Sequence, residues 1–191
     1  MVMSPARSND IRQTHDRSQA GLKPDRLAPG SLYIVTQPLI NGRFHWSLLS
    51  VDLNGSITQY QWHEYHGGRT AEKYSAQHIE RTSSIYNGIN VLAYFKIGGY
   101  RHIDQDHFDE CCREVFKWSY GTVQENRAHD ITPKTWLLRV LDQFVTGGVI
   151  VRFDTVQDLE YAVATLSRYK ERQFLEAFLK QQPYIAPVME L

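Results

Sequence analysis

The stretch NGRFHWSLLSVDLNGSITQYQWHEY, residues 41–65, decides how the rest of the chain is read. It contains two runs rich in aromatic and branched residues, RFHWSLLSV (43–51) and SITQYQWHEY (56–65), joined at Asn54-Gly55. Asn-Gly between such runs is the strongest short-range hairpin signal, because both residues tolerate positive φ. Apolar residues fall on both sides of the first run, which suits a strand inside a sheet rather than at its edge. If Asn54 and Gly55 are the two central residues of a type I′ turn, Leu53 faces Ser56 and His45 faces Glu64. Directly opposed side chains have Cβ atoms roughly 4.5–5.5 Å apart, close enough for the two to hydrogen-bond. An imidazole held by a carboxylate has a fixed tautomer and a second nitrogen left to move a proton, as in acid–base enzymes. The same pair also serves as a satisfied polar contact that only stiffens a sheet, and a bulge in the hairpin separates the two.

Outward from this hairpin, SLYIVTQPL (31–39) reads as a preceding strand closed by Pro38, and Asn41-Gly42 as a turn. His66-Gly67-Gly68 opens a polar excursion to Asn90, with a short helix expected around residues 70–81 and the whole segment a candidate lid. INVLAYFKI (89–97) is a fourth strand, ended by Gly98-Gly99. Residues 105–118 carry Phe108, Cys111, Cys112 and Val115 on one helical stripe, with Asp104 or Asp106 as the cap. Thr132-Pro133 launches a helix that aligns Trp136, Leu137, Val140, Leu141 and Phe144. VIVRF (149–153) reads as a short strand, and Asp154 as the cap of a C-terminal helix to about residue 181. These elements predict an α+β fold, a small antiparallel sheet of about four to five strands packed against C-terminal helices. Residues 31–191 are expected to form one domain. Residues 1–30, polar and without periodicity, read as a disordered arm.

Twenty-one basic residues balance 21 acidic ones with no dense basic cluster, which argues against nucleic acid or an anionic membrane as partner. No apolar run reaches the roughly 18–20 residues of a membrane span, and the start lacks a signal-peptide pattern. The adjacent Cys111 and Cys112 suit a reducing compartment, so a cytoplasmic location is expected. Eight histidines occur without an HExxH or CxxC spacing, so neither a metal nor another cofactor is expected. The 11 Tyr, 8 Phe and 4 Trp suit either ordinary core and surface packing or an aromatic-lined cleft for an apolar small molecule, built from Tyr60, Trp62, Tyr94 and Trp136; His102 reads either as part of a solvated cap or as the rim of that cleft.

FHWSLL on a strand after a turn, a hairpin strand ending in a polar residue, and a later helix beginning near KTWLLRVL together resemble the circularly permuted papain-like families, NlpC-like and LRAT-like chains among them. The resemblance covers about residues 32–146. It implies His45 as the catalytic histidine, Glu64 as its polar partner and a cysteine nucleophile opening the later helix. Pro133, or Arg127 if the alignment runs through Asn126, occupies the cysteine position. The reading that follows is a non-hydrolytic enzyme of cyclase or isomerase type, like small fungal proteins encoded beside biosynthetic enzymes of secondary metabolism. His45 serves in it as acid/base or hydrogen-bond donor. The alternative is a non-catalytic ligand-binding or scaffold protein. A Cys-dependent hydrolase or acyltransferase using Cys112 comes third, because mid-helix thiols on an apolar stripe behave as small hydrophobes.

Overall fold

The computed structural model describes residues 27–39, 42–64, 72–80 and 82–191. Five strands come first: β1 (Ser31–Pro38), β2 (Phe44–Val51), β3 (Ile57–Glu64), β4 (Glu72–His78) and β5 (Ala93–Lys96). Four helices follow, α1 (Gln105–Glu114), α2 (Val123–Ala128), α3 (Pro133–Thr146) and α4 (Val156–Leu179), and the chain closes with β6 (Val188–Glu190). The strands form one six-stranded sheet in the order β4-β3-β2-β1-β5-β6. All neighbours are antiparallel except β5 and β6. The expected α+β class and the central position of β2 are therefore observed, with one strand more than foreseen.

Strand alternation divides the apolar residues between two cores. Leu32, Ile34, Trp46, Leu48, Tyr60, Trp62 and Phe95 face the helices, where they meet Phe108 and Cys112 of α1, the α3 stripe from Trp136 to Phe144, and Val156, Leu159 and Val163 of α4. Tyr33, Val35, Leu49, Val51, Ile57 and Tyr94 face the other way, beneath Ile79, Ile85, Tyr86 and Val91 of the 79–92 segment and Tyr184 and Ala186 of the C-terminal tail. Burying one such side chain is worth about 1.5–3 kcal/mol. The helical side holds more of them and carries most of the hydrophobic stabilisation.

Local chemistry explains the helix boundaries. Thr132 and Thr135 form a capping box ahead of the Pro133 N1 position, as the sequence predicts for α3. The cap of α4 is Thr155, in a box with Asp158, rather than Asp154. The Asp154 carboxylate pairs instead with Arg152. Residues 149–153 form no named strand and make a single bridge, Tyr100 to Ile150. Gly99 has φ +74°, and a Cβ there would stand 2.0 Å from the Val151 carbonyl oxygen, so only glycine lets the bridge close.

The helix expected at 70–81 is absent where the chain is described, because residues 72–78 are the edge strand β4. Its anchor is polar. The Glu72 carboxylate, 3 % exposed, accepts hydrogen bonds from both Arg127 Nη atoms (2.8 and 2.6 Å) and from Asn126 Nδ2 (2.9 Å). Asn126 Oδ1 accepts from the Tyr120 amide (2.8 Å), and Ser119 Oγ donates to the Glu72 carbonyl (2.8 Å). This network fastens the loop before α2, and α2 itself, to the sheet edge. Leu27–Gly30 already belong to the fold: Gly30 N donates to Asp52 O (3.1 Å) and Ala28 N to the Tyr33 hydroxyl (2.7 Å). The rest of the expected arm, Asn41 of the first turn and the His66-Gly67-Gly68 opening lie outside the described residues.

Candidate functional site

The hairpin register fixes what surrounds His45. β2 and β3 pair Val51 with Ile57, Ser50 with Thr58, Leu49 with Gln59 and Leu48 with Tyr60. The connection is thus a three-residue loop, Leu53-Asn54-Gly55, closed by Asp52 N donating to Ser56 O (2.9 Å). Gly55 takes the left-handed conformation at φ +83°. Asp52 Oδ1 accepts from the amides of Asn54 (2.8 Å) and Ser56 (2.7 Å), an Asx turn that favours this longer loop over the expected two-residue turn. One extra loop residue moves every partner to the other face. His45 shares its face with Ser47, Leu49 and Val51, whereas parity sets Glu64 with Tyr60 and Trp62 on the helical face. The expected His45–Glu64 pair is therefore not formed, and Glu64 stands opposite Glu72 in the β3–β4 register.

The partner of His45 is Gln61: the imidazole Nε2 lies 2.9 Å from Gln61 Oε1. Gln61 Oε1 also accepts from Gln59 Nε2 (3.3 Å), which in turn donates to Ser47 Oγ (3.2 Å). Ser47 is 0 % and Gln59 3 % exposed, so a buried polar ladder runs along this face and ends at the imidazole. An amide oxygen only accepts, so Nε2 carries the hydrogen and Nδ1 is left as the basic nitrogen. Burial pushes the His45 pKa down, the Gln61 hydrogen bond pulls it partly back up, and the nearby His63 lowers it again. Neutral imidazole is the form this site favours at neutral pH.

His45 opens onto a groove of about 760 Å³ at the end of the sheet. Its polar wall is His45, Gln61 and His63, joined by Gln37 and Asn90; its apolar wall is Phe174, Leu175 and Phe178 of α4, and Glu64 also reaches it. The helix supplies that wall because it is long. At 24 residues it spans about 36 Å, and its first half packs into the core, with Ser167 Oγ 2.9 Å from Thr36 Oγ1. The last turns then run beyond the sheet, leaving Leu175 49 % and Phe178 71 % exposed.

The remaining expected site residues are not gathered here. Tyr60, Trp62 and Trp136 are buried on the helical face. Tyr60 packs on Phe108 (ring centroids 4.4 Å apart), Trp62 meets Phe116 edge-on (5.2 Å), and Trp136 Nε1 donates to the Cys112 carbonyl (3.0 Å). Tyr94 is on the His45 side of the sheet, but its hydroxyl donates to the Ile85 carbonyl beneath the covering segment. His102 is exposed ahead of α1 and does not line the groove. The aromatic wall therefore comes from α4, not from the sheet. Cys112 is fully buried in the helical core, and burial raises its thiol pKa well above the ordinary value. The Cys111 thiol is pushed up too, chiefly by burial, and lies 3.9 Å from His107 Nε2. Neither sulfur shares a face with His45.

Gln61, His63 and the Phe174–Phe178 turn line the groove without being flagged as site residues by the sequence pattern. The available signal was the apolar i, i+1, i+4 set at 174, 175 and 178, which lies past the last periodic core position of that helix. Among the described residues no group of three or more His, Cys, Asp or Glu is placed to hold a metal ion. None of the described helices is long and apolar enough to cross a membrane. No protein-family model, curated protein or solved structure matches the chain.

Proposed function

We propose that the groove is the active site of a non-hydrolytic small-molecule enzyme of isomerase or cyclase type, with His45 as a neutral base. The observation that carries the reading is the Nε2–Gln61 hydrogen bond at the groove wall, which leaves Nδ1 as the proton acceptor. An orienting amide differs from an orienting carboxylate. It fixes the ring and raises its pKa by less than burial lowers it, so the base is weak and suits substrates whose C–H or O–H is already activated. Phe174, Leu175 and Phe178 favour an apolar body beside that acidic group. The likeness to permuted papain-like chains remains part of the proposal as topology: a histidine on the second strand of an antiparallel sheet, with the helices following. It brings no thiol step, since α3 opens at Pro133 on the helical side.

A ligand-binding protein without chemistry is the second reading, and the observation that favours it is the same neutral partner of His45. Native mass spectrometry of the chain purified from its own source identifies the bound small molecule for either reading. Turnover of that molecule, abolished by His45→Ala with an unchanged far-UV circular dichroism spectrum, is the expected result. Binding that survives His45→Ala, with no turnover by the unsubstituted chain, overturns the enzyme reading in favour of the binder.

A further inference from the structure

Gln59 carries a carboxamide into an apolar core. It is 3 % exposed, pairs with Leu49 in the β2–β3 register, and shares its face of the sheet with Leu49, Val51 and Ile57. A buried amide is costly unless its hydrogen bonds are made, and a leucine there would need none. The bonds it makes lead toward His45. Gln59 Nε2 donates to Ser47 Oγ (3.2 Å) and to Gln61 Oε1 (3.3 Å), and Gln61 Oε1 is the atom that lies 2.9 Å from His45 Nε2. Ser47 with Gln59 and His45 with Gln61 are the same diagonal contact repeated two residues along the hairpin. We propose that Gln59 is a positioning residue: acting through Gln61, it sets the tautomer of His45 and with it the class of ligand the groove takes, an apolar molecule that presents a hydrogen-bond donor. The proposal rests on the reading of the groove as a site in which His45 Nδ1 is the acceptor.

A glutamine amide has two orientations that exchange Oε1 and Nε2 with little change of shape. One offers His45 an acceptor and holds the hydrogen on the imidazole Nε2. The other offers a donor and moves that hydrogen to Nδ1, so that the ring meets the groove as a donor instead of a base. Gln59 selects the first. With its Nε2 aimed at Gln61, turning Gln61 alone brings two NH₂ groups face to face and leaves a buried donor unpaired. Gln59 is itself tied, because its second Nε2 hydrogen goes to Ser47, a fully buried residue. Inverting the tautomer therefore requires both amides to turn together.

The same arrangement suits proton transfer. Imidazolium carries hydrogen on both nitrogens, so its Nε2 donates to Gln61 Oε1 as the neutral ring does. A proton arrives at Nδ1 and leaves again without any amide turning, which keeps the site organised through the exchange. The ligand class follows from what an acceptor at Nδ1 requires. A hydroxyl or an acidic C–H satisfies it, whereas an ether leaves it without a partner. Phe174, Leu175 and Phe178 receive the apolar remainder of the molecule.

Long-range proton–nitrogen NMR of the isotope-labelled full-length chain reads the tautomer without any substrate, with His45→Gln identifying the His45 signals. At neutral pH the unsubstituted chain should show the Nε2–H form. Gln59→Met, close in size but without a donor, should lower the ratio of the Nε2–H to the Nδ1–H form about tenfold. Gln59→Leu repeats the test should the thioether disturb the fold. The ligand probes are phenol and anisole, one ring with and without a donor, followed through the His45 Nδ1 resonance. Phenol should bind the unsubstituted chain several-fold more tightly than anisole, and Gln59→Met should shrink that preference. An Nδ1–H ring in the unsubstituted chain, or an unchanged tautomer ratio in both variants, overturns the role of Gln59. A ring that Gln59→Met does release, with no phenol shift at His45 in the unsubstituted chain, overturns instead the reading of Nδ1 as the acceptor of the groove, and the ligand class with it.

Discussion

On the helical face of β3, Tyr60 and Trp62 disappear beneath α1, α3 and the aromatic residues those helices bring. One residue along the same strand, on the opposite face, Gln59, Gln61 and His63 form a polar wall that ends at open space. The two faces share one backbone and differ in what covers them. Three helices close the first, whereas a loop segment and a short tail cover only part of the second. Stability is concentrated where coverage is complete, and chemistry has room where it is not.

Five substitutions separate the faces, from the largest expected effect to the smallest. Trp136→Ala on the helical side removes a fully buried ring and strands the Cys112 carbonyl that its Nε1 binds. Urea denaturation should show a loss of about 3–5 kcal/mol. Glu72→Ala leaves Arg127 and the buried Asn126 without their acceptor. Because Arg127 is 38 % exposed, the loss should be smaller, about 2 kcal/mol by the same measurement, and the α2 amides should gain hydrogen exchange. A loss at Glu72 as large as that at Trp136 would break the contrast drawn here.

On the groove side the effects should be functional rather than global. His45 has a depressed folded-state pKa, so between its ordinary value near 6.5 and that lower value the unfolded chain binds more protons. Stability should therefore be full above about pH 6.5 and fall as pH drops toward the folded pKa. Stability measured against pH should lose this limb in His45→Gln. Removing the hydrogen bond with Gln61→Leu should lower the His45 midpoint further, as read by NMR titration. Phe178→Ala removes a mostly exposed ring and should change stability by no more than about 0.5 kcal/mol. It should still weaken binding of the small molecule identified by native mass spectrometry by several-fold, because the ring forms part of the apolar wall. Unaltered binding would mean that the helix end is not part of the site.

Much of the fold was legible before any coordinates. β1, β2 and β3 declared themselves through dense branched and aromatic residues, and α1 and α3 through periodic stripes and caps. β4 did not, because EKYSAQH carries no apolar alternation and is anchored at a sheet edge by an ion pair with a helix 55 residues away. β6 is three residues long and exists only because the tail returns to β5 across more than 90 positions. Of the site, His45 was visible as the odd polar residue in a buried run. Its partner is not legible there, because Asn-Gly fits a two-residue turn and the end of a three-residue loop alike, and the two differ by one step of register.

Local chemistry, then, determined which segments of this protein are strands and helices, since propensity, caps and apolar period act within a few residues. Tertiary structure decided the hairpin register, the face on which His45 emerges and the meeting of that face with the end of α4. Those depend on loop closure and on contacts between residues more than 100 positions apart, such as Thr36 with Ser167, which no local pattern encodes.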